Sequence, residues 1–363
     1  MNYDVCIIGG GAAGMAAASV LDKQLNICMI EKNENPGRKV LASGGGRCNI
    51  TNSACSGLES TLGFFASLGL VLYQDEEGRF YPYSNKAADV VEALRRAMAD
   101  KVQVKCNESA LEIAKTKNGF LVKTNHQAIS AKAIILATGG KAAPQFGTTG
   151  DGYKLAISLG HHTTKRIYPI LTGVECTGDK ASQKMFKDLK GIRAKASVTL
   201  LKDEEPLIEE AGEIQFTEYG VSGICVFNLT PFIKADEGEN FLEVLKRFII
   251  KVDLAPDISQ ESLKGRSDSF GIVTEKLAKY VDMDHIKNMR LQVSGVRGWK
   301  DAQCTAGGIE ITEVDMDTME SKLVQGLYLA GEILDIQGPC GGYNLQNAWE
   351  TGIKAAQAIN AKI

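Results

Sequence analysis

The sequence predicts an α/β fold: a dinucleotide-binding domain of parallel strands and helices, split along the chain by an inserted, mainly β domain with a small helical part. Three observations carry this expectation. A strand, a G-x-G-x-x-G turn, a helix, a second strand and an acid open the chain. A further strand, glycine loop and helix close it over residues 326–360. From about Tyr168 to about residue 300 the pattern changes to short strands with charged outer residues.

The opening unit is complete. Tyr3 to Ile8 is a short apolar run, the pattern of a buried parallel strand. In the turn that follows, Gly9 permits the tight bend, Gly11 lets backbone approach a pyrophosphate, and Gly14 lets the helix pack close to the sheet. Ala12 and Ala13 start an alanine-rich helix running to about Asp22, whose N-terminal N–H groups would face the phosphates. Residues 26–30 form the second strand. Glu31 ends it, placed to accept hydrogen bonds from ribose hydroxyls, and Lys32 follows.

A second glycine loop, SGGGRCNITN at residues 43–52, lies just beyond this unit. Three consecutive glycines, Gly44, Gly45 and Gly46, are costly to order. They make sense where a flat ring passes close to the backbone. Arg38, Lys39 and Arg47 supply cations for a pyrophosphate or for the negative N1 region of a reduced flavin, while Ser43, Asn49 and Thr51 supply polar contacts. A simple NAD dehydrogenase has no need of such a loop. FAD does, because its ribityl chain and isoalloxazine extend past the pyrophosphate.

Residues 79–87 read as an aromatic turn before a helix over about 87–98, and residues 102–106 as a strand. Alternation in 119–124 and 128–133 suggests a β-meander. The buried strand from Ala133 ends at Ala137, where Thr138 and Gly139 take the chain beneath the cofactor again, and residues 147–152 open a helix ending near Gly160. At the C-terminus, Gly331 and Glu332 end a short strand. Gly341 and Gly342 then lead through Tyr343, Asn344 and Leu345 into a helix ending near Asn360, whose N-terminus can stabilise negative charge on a reduced flavin. Within the insertion, 196–202 and 212–217 read as strands, 241–255 as a strand-like run, and 259–290 as mixed helix and loop. The expected domains are 1–165 and 301–363 for cofactor binding, with 166–300 as the substrate-side insertion.

Composition narrows the function. Of 363 residues, 44% are apolar and 23% charged, and the net charge is −3, with no basic run to meet nucleic acid or an anionic membrane. No segment reaches the ~18 apolar residues of a membrane helix. Nine scattered cysteines without C-x-x-C fit a reducing cytoplasm rather than a disulfide framework, and no residues are spaced as a metal site. Nothing in the sequence indicates an oligomeric state.

The stretches GGGAAG, GRKVLASGGGRCNITN, ILATGGKAAPQFGTTGDGYKLA, AQCTAGGIE and MESKLVQGLYLAGEILDIQGPCGGYNLQNAWETG together resemble the bacterial aminoacetone oxidase/BaiN-like (YhiN-like) flavoproteins, nearly end to end. The resemblance implies noncovalent FAD in a Rossmann-like, glutathione-reductase-type domain. In that fold Ala110 lies where backbone meets the adenine. The stretch 216–223 matches the family motif imperfectly, with Glu218 where the family carries histidine and Ile224 where it carries proline, and the insertion is shorter than the family pattern.

Three enzymatic readings follow. A small amine of the aminoacetone kind could be oxidised with O2 as electron acceptor. NAD(P)H could dock transiently, reduce FAD and give way to an enone. The third, tRNA-modifying flavoenzyme chemistry, is opposed by the acidic balance and the missing basic stripe. The sequence leans slightly to the oxidase; a non-catalytic flavin-binding redox sensor or scaffold is the reading of a different class. The expected partner is a small-molecule substrate. Arg47, Asn49, Tyr83 and Thr305 are the candidates to face the flavin ring. Cys48, Cys304 and Cys340 lie in cofactor loops and read as buried packing, and His161 and His162 as helix-terminal or core histidines.

Overall fold

The computed structural model describes residues 2–362. The chain forms two compact units, one of Met1–Tyr168 with Cys304–Ile363, the other of Pro169–Gln303.

The first unit is built on a seven-stranded sheet. At its centre Asn2–Ile8 pairs in parallel with Ile27–Ile30 on one side and Ala128–Leu136 on the other, and Val102–Lys105 extends the parallel set beyond Ile27–Ile30. Cys6, Ile7, Cys28 and Met29 are fully buried, as expected of strands covered on both faces. The Ala128–Leu136 strand serves two partners along its free edge. Residues 128–131 pair antiparallel with Gly119–Thr124 of a β-meander, and residues 134–136 pair in parallel with Leu327–Leu329. The C-terminal segment therefore rejoins the sheet where the strand before Ala137 ends. Parallel strands finish on the same edge, so the loops after Ile8, Leu136 and Leu329 converge there.

Helices fix that edge. The Tyr343–Asn360 helix crosses the Ala12–Val20 helix so closely that a Cβ at Gly352 would collide with the Ala13 carbonyl. Trp349, fully buried, donates its indole N–H to the Ile50 carbonyl at 3.1 Å and meets Phe65 edge-on at 5.2 Å. A small sheet of Thr51–Asn52, Arg79–Pro82 and Leu72–Gln74 anchors the 43–52 segment, so residues 79–82 form its middle strand rather than a turn.

The second unit carries a seven-stranded antiparallel sheet around a long hairpin, Arg193–Lys202 and Glu205–Thr217. Both strands outrun the segments expected from sequence, because glutamates on the exposed face of Glu205–Thr217 mask its alternation. Asp203 and Glu204 make the turn with φ of 54° and 72°. The strand-like run at 241–255 resolves differently. Asn240 accepts the Leu242 N–H and caps a helix over Phe241–Leu245, and only Phe248–Asp253 is strand. Residues 259–290 hold two four-residue helices, Gln260–Leu263 and Glu275–Ala278. Among the described residues no helix is long and apolar enough to cross a membrane.

Candidate functional site

The first glycine loop separates into packed and open positions. Gly9 sits at φ +104°, and a Cβ there would strike the Ala137 carbonyl, whereas a Cβ at Gly11 would meet nothing within 4 Å. Gly14 is packed against the Gly9 carbonyl. No side chain caps the Ala12–Val20 helix and no acid stands in its first turn, so Ala12 and Ala13 open a helix end suited to a phosphate. Glu31, 6% exposed, accepts the Gly10 N–H at 2.8 Å, the Asn33 N–H at 2.7 Å and the Asn33 amide at 2.6 Å. A carboxylate has about four acceptor positions, so Glu31 can shape the loop and still receive a ribose hydroxyl.

The second loop is a single tight turn, Ser43–Gly46, with Gly44, Gly45 and Gly46 at φ of 55°, 66° and 86°. Gly44 lies over Asn49 and Tyr81, while Gly45 and Gly46 face open space. Ser43 donates to the Val40 carbonyl at 2.6 Å. The Arg47 guanidinium stands 4.5 Å above the centre of the Tyr81 ring. Tyr81 is buried beneath it, whereas Tyr83, the tyrosine expected at the ring, is 73% exposed and meets Tyr73 edge-on. The strand ends at Pro82, so the alternation that would bring Tyr83 back beside Tyr81 stops one residue short.

The other expected cations take protein partners. Lys32 pairs with Asp151 at 2.7 Å, and Arg38 donates to Asn33 at 2.9 Å. Lys39 pairs with Glu332 at 2.7 Å. Burial alone would lower the Lys39 ammonium, but the Glu332 carboxylate outweighs it and holds the group above the usual lysine value. The other Glu332 oxygen accepts the Thr305 N–H at 2.9 Å, and Thr305 Oγ1 accepts the Lys141 and Ala142 N–H groups at 2.8 and 2.9 Å. Thr305 is thus a latch between loops, with its hydroxyl engaged by backbone.

The C-terminal loop is held by residues of the SGGGRCNITN stretch. With its amide turned so that Oδ1 faces Gly342, Asn49 accepts that N–H at 3.1 Å and donates to the Thr51 carbonyl at 3.1 Å. Thr51 donates to Gln346 Oε1 at 2.7 Å, and Asn52 Nδ2 donates to the Gly341 carbonyl at 3.0 Å. Asn344 closes the same loop onto Gly338, and Tyr343 and Leu345 begin the helix. Gly331 turns at φ +78° and donates to Thr351 at 2.9 Å. Ala137 donates to the Ile8 carbonyl at 2.9 Å, Gly139 turns at φ +72°, and Ala110 opens the first strand of the meander. Sequence reasoning missed Tyr81, Asn52, Asn33 and Gln346. Asn52 and Asn33 carried a signal, since each stands within three residues of a recognised polar group.

Two tests bear on whether this site fits FAD. Gly11, Gly45 and Gly46 leave space that any side chain would fill. The Ala12–Val20 helix begins with no capping side chain and no acid in its first turn, leaving N–H groups that a pyrophosphate would satisfy. Thiol chemistry is poorly placed: burial pushes the Cys48 thiol up to about 12 and raises Cys304 well above the ordinary value, so both stay protonated.

The family described as HI0933-like protein Rossmann domain matches residues 3–59 and 57–358. The chain is 33% identical to a 3-dehydro-bile acid delta(4,6)-reductase of Clostridium scindens over 411 aligned positions, covering 97% of this chain and 98% of that protein. It is 26% identical to a ribosomal RNA dihydrouridine synthase of Escherichia coli, covering 99% and 98%. Among solved structures, the 3-ketosteroid delta1-dehydrogenase of Sterolibacterium denitrificans shares the fold at 14% identity with a TM-score of 0.55, all of both chains being covered. The E. coli quinol fumarate reductase subunit FrdA shares it at 16% with a TM-score of 0.53, covering 99% of this chain and 70% of that one. The chain belongs to the HI0933-like Rossmann-domain family and is an FAD-dependent oxidoreductase.

Proposed function

We propose that the protein reduces a carbon–carbon double bond conjugated to a carbonyl in a small molecule. The observation that carries this is a chemistry common to two relatives. A dehydro-bile acid delta(4,6)-reductase and a dihydrouridine synthase, by their names, both saturate a C=C bond, and in both substrates that bond is conjugated to a carbonyl. This moves the reading from amine oxidation to the enone reductase. The net charge of −3 favours a small substrate over RNA.

FAD, when bound, supplies hydride acceptance from a reductant and donation to the double bond. The chain's own residues do the rest. Gly11, Gly45 and Gly46 admit the cofactor's backbone-hugging parts. The Lys39–Glu332 pair and Thr305 fix the loops relative to one another. Arg47, exposed beside the open glycines, is assigned to hold the substrate carbonyl, drawing electron density from the double bond.

The test is anaerobic. The purified yellow protein is mixed with NADH or NADPH, then with a 3-oxo-4-ene steroid or a simpler enone, while flavin absorbance is followed. Bleaching by nicotinamide and recovery on enone addition is the expected result. Bleaching by an aminoacetone-like amine, with peroxide on admitting air, would replace this reading with the oxidase. Recovery only with uridine-containing RNA would replace the substrate class.

A further inference from the structure

Three of the five residues from Gly338 to Gly342 are glycine, and Gly341 and Gly342 sit at φ of 116° and 106°. Such a segment has wide conformational freedom of its own, yet it leads directly into the Tyr343–Asn360 helix. Asn344 holds its first half: Oδ1 accepts the Gly338 N–H at 2.9 Å, and Nδ2 donates to the Gly338 and Pro339 carbonyls at 2.9 and 3.2 Å. The second half is held by the 49–52 segment, through Asn49 on the Gly342 N–H and Asn52 on the Gly341 carbonyl. Asn52 is itself clamped. Its Oδ1 accepts the Ala54 N–H at 3.1 Å and the Tyr343 hydroxyl at 3.4 Å, and its backbone pairs with Arg79 in the small sheet.

We infer that Asn52 is a positioning residue that fixes the N-terminus of the Tyr343–Asn360 helix against the flavin and so sets the flavin's reduction potential. The inference rests on the FAD site described above. The attraction between a helix N-terminus and negative charge falls off within the first turn. A loop released from Asn52 would therefore stabilise the reduced, anionic cofactor less, while the oxidised form would lose little.

Two substitutions isolate the link. Asn52→Ser keeps an oxygen for the Ala54 turn but is too short to reach Gly341. Asn52→Ala removes the donor to Gly341 and adds no charge. Asn85→Ser, at an exposed site whose side chain accepts the Tyr73 hydroxyl, is the control. The expected result is normal FAD content in all three, with an about tenfold loss of preference for reduced over oxidised FAD in the Asn52 variants, read as a midpoint about 30 mV lower. Both Asn52 variants holding FAD at the wild-type potential would overturn the inference. Loss of flavin or of fold in both would overturn it too, since Asn52 would then be a binding or structural residue. Wild-type protein that binds no FAD would instead sink the cofactor reading beneath it.

Discussion

At Gly45 the backbone stands at φ +66°, and a Cβ would meet nothing within 4 Å. Gly69 has the same two properties, with φ +82°, in the turn after the Leu58–Ser67 helix. The pair separates backbone strain from intrusion into the cofactor's space. Valine at either position costs roughly 1–2 kcal/mol for the left-handed conformation, but only Gly45→Val should also lose flavin. We expect at least a tenfold drop in the ratio of flavin to protein absorbance for Gly45→Val, and none for Gly69→Val. Normal flavin content in Gly45→Val would mean that the triple glycine serves another purpose. Arg47 invites a kinetic test. Arg47→Ala should retain FAD and lower kcat/KM for an enone by on the order of 100-fold, the cost of removing a donor from a developing oxyanion. An unchanged kcat/KM would remove Arg47 from the substrate's carbonyl.

The elements were legible in sequence wherever a periodic pattern met a glycine signal. The Asn2–Ile8 strand, its glycine turn and Glu31 follow from backbone requirements that leave few alternatives. What the sequence did not disclose was partnership across distance. Lys39 and Arg47 look alike in the chain, yet one is turned onto Glu332, 293 positions away, and the other onto Tyr81. Nothing local separates them, because the choice depends on which loops the sheet brings together. The short Ile311–Glu313 helix shows the same limit. His161, read as a core or helix-end residue, is buried with Nδ1 on Glu313 at 2.9 Å and Nε2 on Ser321 Oγ at 2.8 Å. The Ser321 oxygen already accepts the Leu323 and Val324 N–H groups, so its proton is available to Nε2, and the ring is neutral with its own proton at Nδ1. Burial lowers His161 below the ordinary histidine value, against the opposing pull of Glu313. Burial would raise the Glu313 carboxyl, but the His162 N–H and the two imidazoles outweigh it and bring it down. Both folded-state values lie below the unfolded ones, so the unfolded chain binds more protons in acid. The stability these groups contribute is complete above about pH 6.5, and it drains as pH falls, first through His161 and then, below about pH 4.5, through Glu313. Urea titrations at pH 7.5 and 5.5 should show the wild type losing stability with acid, and His161→Gln losing less. Equal losses would exclude His161 from the acid response.

Among the described residues there are two hydrophobic cores without a shared residue. One lies between the parallel sheet and the helices around Trp349; the other lies against the hairpin sheet around Phe216 and Phe248. The glycine loops of the candidate site, at residues 9–14, 43–52 and 338–342, all belong to the unit of the first. This separation predicts two independent thermal responses. Ligand that binds one unit stabilises that unit by RT ln(1 + [L]/Kd), about 2.7 kcal/mol at a hundredfold excess over Kd. Phe216 is fully buried and packs with Phe186 at 6.3 Å between ring centres, so Phe216→Ala should cost the second unit about 3–5 kcal/mol. Calorimetry of the apoprotein and of protein with added FAD would read both effects. Added FAD should raise one transition and leave the other in place, and Phe216→Ala should lower the transition that FAD leaves alone. The flavin content of that variant should match wild type below its first transition. If FAD and Phe216→Ala instead shift one shared transition, the two cores melt as a single cooperative body, and damage in the inserted unit would reach the cofactor through global stability.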